Sequence, residues 1–223
     1  GNFPKSQTIG ERILDIRKKN LAPDHPDIVR AMNNLALSYS KGGKLDKART
    51  LYLEGLALLE NRKDSEDEKT SILANLGLTY LVEEKYDKAL EFFQKALEIA
   101  EKKYGSDNIK VAIYRFNIGR TLLDKGEFSD AEPNLLRSLA IREKFLGKNH
   151  IETGHNCSLL AIIYALKGDS EKSVKYLERA NTIFELNAKA VFSRSTESEQ
   201  LLYLEKTTIQ YDRVISMQSH FLS

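Results

Sequence analysis

Three primary amides fall at matching places along this chain. Asn34, Asn75 and Asn117 are separated by 41 and 42 residues. Each opens a similar run: Asn34-Leu35-Ala36-Leu37-Ser38-Tyr39, Asn75-Leu76-Gly77-Leu78-Thr79-Tyr80 and Asn117-Ile118-Gly119-Arg120-Thr121-Leu122. A primary amide both donates and accepts hydrogen bonds. Spaced one repeat apart, such groups can hold the backbone of an extended peptide without reading its side chains. The alternative use is internal, with the amides bonding neighbouring helices and keeping their spacing uniform. The two uses are compatible.

His155 and Cys157 invite a nucleophile reading. A catalytic thiol needs a base brought to it across a fold and a third group to orient that base. Side chains two apart on one helix point away from each other, so Cys157 reads as structural. His25, His150, His155 and His220 show no metal-ligand spacing with cysteine or acidic residues. There is no P-loop, no glycine-rich nucleotide turn and no G-x-S-x-G. We therefore expect no catalytic residue, metal, cofactor or small-molecule substrate. Lys102-Lys103 and Arg17-Lys18-Lys19 lie at the ends of helices and read as solvated charge, with nucleic-acid binding the lesser alternative.

The elements that position the amides follow from the period. A fourth run, Leu159-Leu160-Ala161-Ile162-Ile163-Tyr164, keeps the pattern without the Asn, and the small residues Ala36, Gly77, Gly119 and Ala161 recur at 41, 42 and 42. A fixed period of this size is the signature of stacked units. Apolar residues recur at three and four spacings, the helical pattern. The expected helix pairs are 26–41 with 45–61, 68–83 with 86–103, 109–125 with 128–146, and 151–167 with 170–187. In each pair a small residue on the first helix should face a large one on the second, where the backbones cross closely.

Composition agrees. Charged residues are 30% and the net charge is +2, which gives no electrostatic case for nucleic acid or an anionic membrane. One cysteine excludes an internal disulfide and fits a reducing, cytoplasmic setting. No apolar run is long enough to span a bilayer. The chain begins with Gly rather than Met and opens half-way through a unit, because Ile13–His25 lines up with Ser138–His150. We expect a segment cut from a longer protein: residues 1–22 the second helix of a preceding unit, 23–188 four units (26–67, 68–108, 109–150, 151–188), and 189–223 a connection and a final helix. Thr196 and Glu199 would form its capping box.

Small-at-8, Tyr-at-11, Gly-at-15, Ala-at-20, aromatic-at-24 and small-at-27 resembles the tetratricopeptide (TPR) pattern. The longer period, with Ala131-Glu132-Pro133 and Ile141-Arg142-Glu143-Lys144-Phe145-Leu146-Gly147, resembles the repeats of kinesin light chains. The resemblance covers residues 1–188. The fourth unit departs most, with Ser173 in place of Ala and Leu159 in place of Asn. The implied fold is all-α: a right-handed α-solenoid of antiparallel helix pairs with a C-terminal capping helix. In such repeats the position of Asn34, Asn75 and Asn117 contacts bound peptide on the concave face. Arg30, Asn33, Leu37, Lys41, Ala74, Leu78, Ile113, Phe116, Arg120, His155, Ser158 and Ile162 should neighbour it. The groove would be basic near Arg30, Lys41 and Arg120, and apolar near Phe116.

The stretch Phe192 to Leu204 more weakly resembles the segment joining such arrays to caspase-like CHAT protease domains in bacteria. It implies a non-catalytic sensing half that binds a protein or peptide, such as a CRISPR effector complex. A cargo adaptor of the kinesin-light-chain kind, taking acidic-aromatic peptides, is the alternative. A two-carboxylate clamp finds only part of its Lys and Arg set.

Overall fold

The computed structural model describes residues 3–192. Among these residues the chain forms nine α-helices and no strand. They are α1 (Phe3–Asn20), α2 (Pro26–Lys41), α3 (Leu45–Leu59), α4 (Glu66–Val82), α5 (Tyr86–Tyr104), α6 (Ile109–Lys125), α7 (Phe128–Leu146), α8 (Ile151–Leu166) and α9 (Ser170–Phe192). The fold is an all-α helical-repeat solenoid. The final helix and its capping box, expected beyond residue 192, lie outside the described residues. The connection expected from Ala188 is helical as far as Phe192.

Local chemistry sets the helix ends. His25 and His150 cap α2 and α8, each imidazole Nδ1 accepting from a backbone N–H two residues on, at 3.1 and 3.2 Å. Asn108 caps α6 through its side-chain oxygen, at 2.9 Å from Lys110 N. Each turn inside a pair closes with the same bond, the sixth residue's N–H reaching back to the first one's carbonyl. These are Lys44 to Tyr39 (2.9 Å), Lys85 to Tyr80 (3.0 Å), Glu127 to Leu122 (2.8 Å) and Asp169 to Tyr164 (2.8 Å). That turn needs a left-handed residue. Gly43, Gly126 and Gly168 supply it in three pairs, while Glu84 adopts φ 57° in the other.

Two compact units divide the chain, the first through Ser106 and the second from Asp107. In the first, α2 packs on α1 and α3, and α4 on α3 and α5. Tyr52, Phe93, Ile28, Met32, Leu59, Ile72 and Leu76 are its largest fully buried side chains. The expected small-against-large crossing is present: a Cβ on Gly77 would lie 2.6 Å from the Phe93 ring. In the second unit α6 packs on α7, α7 on α8 and α8 on α9, around Leu123, Leu135, Ile141, Leu160 and Ile162. There a Cβ on Gly119 would lie 2.7 Å from Leu135 Cγ. Any side chain at these glycines would force the helices apart.

Candidate functional site

Within the first unit α2 and α4 lie side by side, and their amides meet. Asn75 Nδ2 donates to Asn33 Oδ1 at 2.9 Å. Thr79 Oγ1 donates to the Asn75 backbone carbonyl at 2.8 Å. Asn34, one residue on from Asn33, is exposed. Arg30, Asn33, Asn34, Asp67, Glu68 and Ser71 border a shallow cleft of about 270 Å³. The structure thus brings Arg30, Asn33 and Asn34 together around one opening, with Asn75 pinned to its wall.

The charge of this cleft differs from the expected basic one. Arg30 is ion-paired with Asp27, and that bond holds the Asp27 carboxyl below its ordinary range. Asp67 is taken by Lys103 at 3.2 Å and by the Tyr104 hydroxyl. Glu68 adds a half-buried carboxylate. Positive charge at Arg30 is therefore offset locally. Lys41 stands exposed on the last turn of α2.

In the second unit Phe116, Asn117 and Arg120 share one side of α6, as a helix places residues four apart. Asn117 is half-buried, and Thr121 Oγ1 donates to its carbonyl at 2.7 Å. The Arg120 Nε lies 3.8 Å from Asp124. Phe116 is covered by the guanidinium of Arg142, 4.3 Å from the ring centre. His155 does not stand open. Its ring lies 5.3 Å from that of Phe184 on α9, and burial pulls its pKa down, with Glu152 opposing. Ile162, expected in the groove, is 1% exposed and belongs to the core; an aliphatic side chain leaves water wherever its neighbours allow.

Cys157 is fully buried, and burial pushes its thiol up to about 11. The nucleophile geometry is absent because His155 turns to Phe184 instead. Among the described residues no group of three or more His, Cys, Asp or Glu could hold a metal ion, and no helix is long and apolar enough to cross a membrane.

Sequence reasoning missed one polar cluster. Arg142, 3% exposed, donates through Nη1 to the Glu152 carbonyl (2.8 Å) and to Asn156 Oδ1 (2.7 Å), while its Nη2 pairs with the Glu152 carboxylate at 3.1 Å. Asn156 Nδ2 donates to the Leu135 carbonyl at 3.0 Å, and Ser138 Oγ to that of Ala112 at 2.7 Å. The signal was available. Arg142 and Asn156 stand where the first unit has Leu59 and Ile72.

The family model for the tetratricopeptide repeat matches residues 1–61, 69–144 and 122–185. Among curated proteins no relative matches. BtubC (BKLC) from P. vanneervenii is similar in structure at a TM-score of 0.72 and 20% identity, over 98% of this chain and 93% of that one. The nearly identical TPR-like repeats of a putative kinesin light chain from Podosopora anserina give 0.68 and 22%, over 87% and 90%. The apo form of RapI gives 0.72 and 16%, over 84% of this chain and 52% of that one. At these identities the likeness is one of fold. With the repeat model covering most of its length, the chain belongs to the tetratricopeptide-repeat family.

Proposed function

We propose that this chain is a non-catalytic module that binds a protein or peptide on the faces of its first-in-pair helices. The observation that carries the reading is the cleft beside α2 and α4, where exposed Asn34 stands next to the Asn33–Asn75 bond. Open amides on a rigid helical scaffold suit main-chain recognition, and helical-repeat stacks offer extended surfaces for it. Asn75 spends one N–H on Asn33 and keeps its second for a ligand, so the amide spaces helices and binds at once. Phe116, Asn117 and Arg120 are the second unit's counterpart, with Lys41 and His155 at the edges of the two faces.

We place the module in the cytoplasm, as the sensing part of a longer bacterial protein such as a CHAT protease, on the resemblance that begins at Phe192. A CRISPR effector complex is the corresponding partner. The cargo-adaptor alternative is disfavoured by the divergence of the fourth unit, which has Ser173 in place of Ala and Leu159 in place of Asn.

Peptides selected against the full chain from a random display library provide the test. Asn34→Ala with Asn75→Ala should weaken the selected peptides at least tenfold and leave far-UV helicity intact. Glu91→Ala, on an exposed part of α5, should change nothing. The reverse pattern would move binding to the other face.

A further inference from the structure

A second cleft of the first unit, of about 320 Å³, is bordered by Leu56 and Glu60 of α3, Lys69 and Leu73 of α4, and Ile99 of α5. The repeat spacing puts Leu139, Glu143, Thr153, Cys157 and Ile183 at the same positions in the second unit. There the apolar floor is covered: Cys157 and Ile183 are 0% and 1% exposed, whereas Leu56 and Ile99 are half-buried. A pair of charges lies across the covered version. Arg179 of α9 reaches to Glu143 of α7 and pairs with it, and the two act in opposite senses on the Cys157 thiol nearby. The equivalent residues of the first unit are Lys95 and Glu60. They do not pair. Lys95 Nζ lies 2.6 Å from Glu91 on its own helix. Lys69 Nζ reaches the Glu60 backbone carbonyl, at 3.5 Å, and leaves the Glu60 carboxylate without a partner.

We propose that this cleft receives an arginine side chain presented by a peptide segment of a partner protein, seated as Arg179 is seated in the second unit. The chemistry of the occupant follows from that internal example. The guanidinium pairs with the Glu60 carboxylate, a planar donor fork matched to two acceptor oxygens. The aliphatic stem lies on Leu56, Leu73 and Ile99 and removes them from water, as long basic side chains do along apolar surface. Lysine is the poorer fit, since Lys95 already stands at this place and turns to Glu91 instead. Leu53, one turn before Leu56 on the same side of α3, is 49% exposed and extends the apolar floor. The residue beside the arginine is therefore aliphatic or aromatic. None of these groups belongs to the amide cleft beside α2, so the two sites are tested apart.

The probe is a set of peptides selected from a random display library against the full chain carrying Asn34→Ala with Asn75→Ala, which blanks the amide cleft. The selected peptides should carry an arginine next to an apolar residue. By fluorescence anisotropy, citrulline in place of that arginine, or Glu60→Gln in the chain, should weaken binding about tenfold or more. Lys95→Arg rebuilds the pair of the second unit; it should raise the melting temperature and weaken binding to a similar degree by filling the cleft. Glu60 and Lys95 are exposed, so far-UV helicity should stay unchanged in both variants. A selection that enriches no peptide, peptides without arginine, or binding indifferent to Glu60→Gln overturns the proposal. So does a loss of stability on Lys95→Ala as large as on Arg179→Ala, since Lys95 would then close the cleft itself. A dimer of the chain by sedimentation that Glu60→Lys breaks also overturns it, with a second copy as the occupant.

Discussion

The same junction is built twice in this chain, once from apolar residues and once from polar ones. Where α3 meets α4, Leu59 and Ile72 are 0% and 1% exposed. Where α7 meets α8, the equivalent positions are Arg142 and Asn156, at 3% and 0%. Burial is alike; the chemistry is opposite. The apolar version is indifferent to rotation about the contact, because dispersion and water exclusion have no direction. The polar version fixes a single register: Arg142 must find both the Glu152 carbonyl and Asn156 Oδ1, and Asn156 must find the Leu135 carbonyl. A buried cation that loses its partners is far costlier than one never placed there. The difference teaches that repeat units with one fold can be told apart by which junctions demand a specific neighbour.

Exchanging one chemistry for the other tests this most severely. Arg142→Leu alone leaves Asn156 Oδ1 with only the 3.3 Å bond from Ser138 Oγ and removes the donor to the Glu152 carbonyl, and should cost about 2 kcal/mol or more by urea unfolding. Arg142→Leu with Asn156→Ile copies the first unit, and should return to within about 1 kcal/mol of the parent or exceed it. A double variant as weak as the single one would mean that the polar cluster is not a self-contained substitute for Leu59 and Ile72.

A second contrast is between His155 and Ser71, which share a repeat position. Ser71 is exposed and His155 is tucked against Phe184. Burial lowers the folded-state pKa of His155 beneath the unfolded value near 6.5. Between those values the unfolded chain holds a proton that the folded chain does not, so stability falls as pH drops from about 6.5 toward the folded pKa. The slope is at most about 1.4 kcal/mol per pH unit for this one group. Melting curves between pH 7 and pH 5 should show the loss, and His155→Ser should flatten it. An unchanged profile would mean that another group carries the pH dependence.

The smallest expected effect concerns the turn inside each pair. The second pair uses Glu84 at φ 57°, whereas the third uses Gly126 at φ 89°. Glu84→Gly should stabilise the first unit by about 0.5–1 kcal/mol, the relief of a left-handed side chain less the added freedom of the unfolded glycine. A melting temperature lower than the parent's would show that Glu84 makes an interaction that offsets its strain.

Much of the fold was legible before any coordinates. The 41- and 42-residue recurrence of Ala36, Gly77, Gly119 and Ala161 placed the close crossings, because only a small residue lets two helices approach there. Cys157 read as structural from its two-residue offset to His155, and it is buried. The candidate site was less legible. Arg30 looked basic in the sequence, but Asp27 and Glu68 come from another turn of its helix and from another helix. Ile162 sat at a groove position by period and is in the core by packing. A linear pattern assigns a side chain to a face of its helix and is silent on what leans over that face.

The amino-acid order alone determined the helix-pair repeat, its turns and the places where backbones touch, since these depend on side-chain size and on contacts within one period. Tertiary structure alone decided that Asn75 bonds Asn33 and that Arg142 is buried over Phe116. Each of those depends on the distance between groups brought together by packing, and free energy at such sites follows distance and access to water rather than position in the chain.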